Sequence, residues 1–330
     1  MNSTGSSGPH PLEGEPGYDL MMTGEVINKY YMWVIFAFGF PANVATIVTI
    51  CHMRHLGSFV MYVALLAVMD NLAIVIKIVF YQLLLNKVNI ATAGCRALEF
   101  LGNFLITYCN WLLVLMAIER LMAVRYPFRI HFQSCLTRQK AGVISAIVGG
   151  VIAGMYLPIL WASTYRKNGQ SVECQKDDLD LLQAIHWTSM AMYAFIPFII
   201  LVICNALIAR EIRMSFRLRS AFRSINTFIS TRHCDIPVQR QIMLMLFSTT
   251  FMFLLLHFPI CVFVVATYWP VSGPQAYAIK YFCQQLAYLL CDSNHALNFY
   301  IYFLSARKFR KHFKYVITCM FCDRSVAAHL

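Results

Sequence analysis

The chain has 330 residues, 59% of them hydrophobic and only 13% charged, against roughly 25% charged in a soluble domain. That composition excludes a soluble globular protein and points to a membrane protein. The formal charge of +12 does not indicate nucleic acid as a partner, because of where it lies. Arg54, Arg125, Arg138, Arg213, Arg217, Arg240, Arg307 and Lys311 fall in or beside alternate connections or in the C-terminal tail, while Glu173, Asp177, Asp178 and Asp180 offset Arg166, Lys167 and Lys176 in another. This positive-inside pattern puts the N-terminus outside and the C-terminus in the cytoplasm, so the number of spans is odd.

Residues 1–28 are rich in Gly, Pro, Ser and acidic side chains and read as an extracellular disordered tail. They lack the basic start and apolar centre of a signal peptide. Asn2-Ser3-Thr4 is an N-glycosylation acceptor, although a triplet this short also arises by chance. Seven apolar runs follow, at about 30–53, 59–85, 92–124, 138–161, 184–212, 238–268 and 277–304. At about 1.5 Å per residue each is long enough to cross about 30 Å of hydrocarbon. Backbone groups in lipid must be satisfied internally, so the expected fold is an all-α membrane protein: a seven-transmembrane helix bundle over residues 29–304.

The third run begins at Cys95 and ends on Glu119-Arg120. Charged groups at the end of a membrane-length helix are costly unless they serve a purpose. Between the fifth and sixth runs lies a basic connection with Ser215, Ser220, Ser224, Thr227, Ser230 and Thr231, readable as a loop near anionic lipid or as a docking surface. Beyond the seventh run, residues 305–330 form a short amphipathic eighth helix and tail. Phe309, Phe313, Val316 and Ile317 share one face and Arg and Lys the other, the pattern of a helix lying on membrane lipids. Cys319 and Cys322 are palmitoylation candidates, with unmodified thiols the plainer alternative.

Several markers recur in a fixed order. GFPANVATIV carries Asn43, LAVMDNL carries Asp70, and Cys95 precedes Arg120 within one helix; Pro197 lies in the fifth run, Phe253 and Pro259 in the sixth, Asn298 and Tyr302 in the seventh. In this order and topology the chain resembles the rhodopsin-like (class A) G-protein-coupled receptors over residues 30–318, and ALNFYIYFLSARKFRK is most similar to the neuropeptide-receptor branch.

The resemblance implies a receptor and not an enzyme, one that binds an extracellular ligand, a neuropeptide or else a small non-amine molecule, and activates a heterotrimeric G protein at the plasma membrane, with arrestin as a further partner. It implies a disulfide from Cys95 to Cys174, with Cys283 as the competing partner. It implies a polar cluster of Asn43, Asp70, Asn294 and Asn298 that holds an allosteric Na+, and no other cofactor. Glu119, Arg120 and Tyr302 become the G-protein switch, and Pro197, Phe253, His257 and Pro259 the activation hinge.

Departures from the family pattern are specific. Gln239 stands where an acid would lock Arg120, so resting activity is expected to be appreciable. His257 replaces the usual Trp and reads as a packed, hydrogen-bonded side chain or as a titratable toggle. Phe299 replaces a Pro, which should straighten the seventh helix, Asn205 replaces a Tyr, and the fourth run has no central Trp. Gly102 stands where amine receptors carry an Asp and Asp292 where opsins carry a Lys, so neither of those ligand types is expected.

Lys77 lies seven residues outward of Asp70, about 10 Å along a helix, and Asp292 lies six residues before Asn298, about 9 Å outward. If Asp70 and Asn298 are level, the two charges are level too. They either pair, because an unpaired charge there is expensive, or floor a ligand pocket and exchange partners with the ligand. Facing and depth add Glu99, Asn103, Trp187, Tyr193, Phe263, Gln284, Gln285 and Tyr288 to the walls of that pocket.

Two other classes are weaker. A seven-helix zinc hydrolase would use His257, His295 and Asp292 as ligands, but it leaves Glu119-Arg120 unexplained. A transporter would need an inverted repeat or paired broken helices, which the sequence lacks.

Overall fold

The computed structural model describes residues 16–52, 57–126, 137–168, 171–176, 184, 187–223, 236–266 and 270–327. Seven long helices and an eighth make up the fold: α1 Tyr18–Cys51, α2 Gly57–Leu85, α3 Ala91–Arg125, α4 Arg138–Tyr156, α5 over 187–223, α6 Ile236–Ala266, α7 Pro274–Ser305 and α8 Arg307–Ala327. A short turn of helix, Ile159–Ala162, extends α4. Among the described residues there is also an antiparallel hairpin, β1 Ser163–Asn168 with β2 Ser171–Lys176, in which Tyr165 faces Cys174.

Six of the long helices are apolar enough to cross a membrane on their own composition. The seventh, α7, is long enough at 32 residues. Its lower hydropathy has a plain cause, since Gln285, Asp292, Asn294, His295 and Asn298 on it are all buried against other helices rather than turned outward. A span of this kind is stable only inside the bundle.

The first helix corrects one boundary. Residues 18–28, expected to belong to the disordered tail, are helical and continue α1. They are held by α7, which runs parallel to α1 at close range. A Cβ at Gly24 would lie 2.9 Å from the Tyr281 ring, and one at Gly39 2.8 Å from the Ala296 Cβ. Glycine at these two positions lets the backbones approach. Asn2 lies outside the described residues.

Proline shapes α5. The turn Ala191–Phe195 is π-helical, with Ile196 between it and Pro197. Pro197 has no N–H to give the carbonyl of Tyr193, four residues back. That carbonyl accepts the Asn110 Nδ2 hydrogen at 2.8 Å, and the neighbouring Met192 carbonyl accepts Trp111 Nε1–H at 2.9 Å. The irregularity in α5 therefore becomes its contact with α3.

At the other end, Phe299 occupies the position expected to hold a helix-bending Pro, and α7 runs unbroken to Ser305. Phe299 packs edge-on against Phe309 and Phe313, with ring centroids 5.8 and 5.1 Å apart. Phe309 and Val316 are buried, so part of the apolar face of α8 covers α7, while Ile317 is exposed.

Candidate functional site

Three groups of buried polar side chains stand out among the described residues. The first surrounds Asp292. Lys77 Nζ donates to Asp292 Oδ2 at 2.5 Å, and Tyr31 OH donates to the same oxygen at 3.1 Å. The Lys77 ammonium also lies 5.7 Å from the Tyr288 ring centroid. Beside this group is a mostly apolar cavity of about 180 Å³, lined by Lys77, Glu99, Asn103 and Asp292 together with Gly102 and His295. Lys77 and Asp292, inferred to be level from helix geometry, are thus directly paired.

The expected pocket is only partly assembled. Lys77, Glu99, Asn103 and Asp292 line the cavity; Tyr288 and Gln284 do not. Tyr288 is exposed and approaches Lys77 from the side, and Gln284 donates to Tyr288 OH at 3.4 Å. Trp187 is exposed, and Tyr193 is committed to Cys291 Sγ at 2.6 Å. Tyr31 is absent from the sequence-based set, because nothing along α1 indicates which of its tyrosines turns inward.

The second group surrounds Asp70, which is fully buried. Asn298 Nδ2 donates to Asp70 Oδ2 at 2.8 Å, and His295 Nδ1 donates to Oδ1 at 2.7 Å. The Cys109 thiol completes a trio with Asp70 and His295 whose ligand atoms lie within 4.8 Å of one another. Asn43 does not touch Asp70. Its Nδ2 donates to Asn71 Oδ1 and to the His295 carbonyl, both at 3.0 Å. Asn294 is buried but supplies neither of these bonds to Asp70. The sequence did contain the missing signal: His295 is three residues before Asn298, on the same face of α7.

The sodium expectation fails a donor test here. A hard cation gathers oxygen ligands, whereas Asp70 is surrounded by an imidazole N–H, an amide N–H and a thiol.

His257 lies on α6 and meets Asn110 of α3. It is 1% exposed, stacks on Phe253 at 3.9 Å between ring centroids, and has both ring nitrogens engaged. Nδ1 faces the Phe253 carbonyl at 3.1 Å, and Nε2 faces Asn110 Nδ2 at 3.4 Å. These partners match a neutral ring with its proton on Nδ1, which is the packed reading. The three ligands of the hydrolase alternative do not form a metal-ligand group among the described residues; the group that does is Asp70, Cys109 and His295.

The third group is at the far end of α3. Arg120 Nη2 pairs with Glu119 Oε1 at 3.1 Å, and Ser58 Oγ donates to that same oxygen at 2.6 Å. Arg125 Nη1 pairs with Glu211 Oε1 at 2.9 Å, tying α3 to α5. Tyr302 is buried beside the Phe309 ring, and its hydroxyl has no hydrogen-bond partner among the described residues. The side chain of Gln239 lies outside the described ones. So does that of Cys322, whereas Cys319 is exposed on α8.

At the opposite end Cys95 and Cys174 are disulfide-bonded, with Cα atoms 5.9 Å apart. The bond clamps the β1–β2 hairpin to the start of α3 and leaves Cys283 a free, exposed thiol.

These features belong together in one class of protein, a helical-bundle membrane protein with a cavity at one level and a buried ion pair at the far end of α3. The family model described as 7 transmembrane receptor (rhodopsin family) matches residues 42–302, and the chain belongs to that family. It is a multi-pass membrane protein and not an enzyme. The chain is similar to a probable G-protein coupled receptor of Caenorhabditis elegans, at 23% identity over 91% of this chain and 71% of the relative. It is likewise similar to the thyrotropin-releasing hormone receptor of Mus musculus, at 23% identity over 93% and 83%. A purinoceptor of Mus musculus is 26% identical over 63% of this chain and 59% of its own length.

Proposed function

We propose that this chain is a plasma-membrane receptor, its N-terminus extracellular, that binds a peptide and in response promotes nucleotide exchange on a heterotrimeric G protein. The observation that carries the reading is the Lys77–Asp292 pair in the wall of the cavity. A buried ion pair gains little net stability over apolar packing, so its presence beside an open cavity favours a contact that a ligand exchanges. Lys77 keeps 32% of its side chain exposed and Asp292 only 3%. The ammonium is therefore the accessible partner, and Tyr31 stays with Asp292 when Lys77 turns to a ligand.

Glu99 and Asn103 give the cavity wall the polar variety that a peptide requires. The hormone-receptor relative supports the same choice, and the purinoceptor relative supports a small non-amine ligand as the second reading. At the far end, release of Arg120 from Glu119 frees a guanidinium for the G protein, and arrestin is assigned the same face. The lipid-facing side of α8 is assigned to the membrane. Glycosylation at Asn2 and acylation at Cys319 and Cys322 complete the proposal and are measured by intact-mass spectrometry.

A peptide library applied to cells expressing the chain, with calcium and cAMP readouts, tests the ligand class. The paired reversal Lys77→Asp with Asp292→Lys is expected to reach the surface but lose the agonist response; an unchanged response removes the pair from the ligand site. Agonist-free signalling of the wild type is expected to exceed that of Gln239→Glu, and equal basal levels refute a weakened resting lock.

A further inference from the structure

Asp70 is enclosed completely, and each of its oxygens already accepts a hydrogen bond, from His295 Nδ1 at 2.7 Å and from Asn298 Nδ2 at 2.8 Å. Both donors direct the positive end of an N–H at the carboxylate. An alkali ion entering there must displace them and leave them buried without an acceptor, at a cost comparable to the bonds it breaks. The third neighbour, Cys109, offers sulfur, a poor ligand for a hard ion. The nearby amide from α1, Asn43, gives its nitrogen to the His295 carbonyl and to Asn71, and its Oδ1, buried without a hydrogen-bond partner among the described residues, is a single neutral oxygen. The orientation of the imidazole is thus held from two sides, by Asp70 at the ring and by Asn43 at the backbone.

We propose that His295 is the resident partner of Asp70 in the place where an alkali ion would otherwise sit, so that the folded receptor takes no sodium at Asp70. The inference rests on the geometry around Asp70 and on membership of the family, not on the class of ligand. It has a consequence for signalling. His295 also lines the ligand cavity with Lys77 and Asp292, so one side chain faces the cavity and holds Asp70. A ligand that moves the imidazole disturbs the Asp70–Asn298 level directly, with no ion between them.

The test uses purified full-length receptor in lipid nanodiscs, with thermal unfolding followed in sodium chloride and in choline chloride at equal ionic strength. The wild type is expected to unfold at the same temperature in both salts. His295→Ser removes the ring and leaves a small oxygen donor and space. It is expected to gain a saturable, sodium-specific rise of several degrees, because an ion that binds only the folded state stabilises it by mass action. A saturable sodium-specific rise in the wild type overturns the proposal, as does a well-folded His295→Ser that stays indifferent to sodium. If His295→Ser cannot be recovered folded, Cys109→Ser keeps the imidazole and adds an oxygen. That variant is expected to match the wild type, and sodium dependence in it overturns the proposal. Neither ligand nor G protein enters these measurements, so their failure is separate from any failure of the peptide-receptor reading.

Discussion

Asp292 and Asp70 are both buried carboxylates in the same bundle, three and zero per cent exposed, yet they are neutralised in different ways. Asp292 has a full cation, Lys77, and a phenol, Tyr31. Asp70 has the N–H donors of His295 and Asn298. The cation beside Asp292 keeps one side open to the cavity. The donors around Asp70 are closed in by α1, α2, α3 and α7, so that pairing changes only when helices or His295 move. One carboxylate lines the cavity and the other a closed joint between helices.

The comparison is broken most severely by removing one member of the charged pair. Asp292→Ala leaves Lys77 without its counter-charge, and losing one partner of a buried pair costs ~3 kcal/mol or more. Surface expression and the unfolding temperature should both fall, and the double change Lys77→Met with Asp292→Leu should restore most of the loss. Wild-type stability in Asp292→Ala alone removes the ion pair from the structural account.

Opening the disulfide ranks next. Cys174→Ser releases the hairpin from α3, and losing a native disulfide costs ~2–5 kcal/mol. Limited proteolysis should cut the 163–176 segment in the variant before the helices. At the joint, Asp70→Asn keeps the shape but turns an NH2 toward donors, so it is expected to cost ~1–3 kcal/mol. If Asp70→Asn costs as much as Asp292→Ala, the two carboxylates are not held differently.

The smallest effect sharpens the comparison. Tyr31→Phe removes one hydrogen bond to Asp292 while Lys77 remains, at a cost of ~1 kcal/mol. Its unfolding temperature should stay close to wild type, while any response that depends on Lys77 leaving Asp292 should weaken, since Tyr31 is the partner left behind. Equal agonist responses in Tyr31→Phe and wild type would show that Lys77 never leaves.

Much of the fold was legible because lipid permits few architectures. Long apolar runs, alternating basic connections and ordered proline, asparagine and acidic markers lead to seven helices and an eighth. The Lys77–Asp292 pairing was legible too, because helical rise converts sequence separation into depth. Depth, however, says nothing about rotation between helices. Tyr31 on α1, Ser58 on α2 and His295 on α7 each complete a polar group, and each was missed or placed elsewhere.

By itself the sequence determined the membrane class and the span order, since those follow from hydropathy and charge bias, while the family resemblance implied the cysteine pairing and the common depth from which the Lys77 and Asp292 levels were reckoned. Only the tertiary structure decided which donor faces which acceptor. It set Asn43 on Asn71 and the His295 backbone, and gave Asp70 an imidazole in place of an oxygen-rich cluster. It also extended α1 by packing its first turns along α7. These are matters of helix rotation and close approach, fixed by side chains meeting across the bundle, and no single stretch of chain contains them.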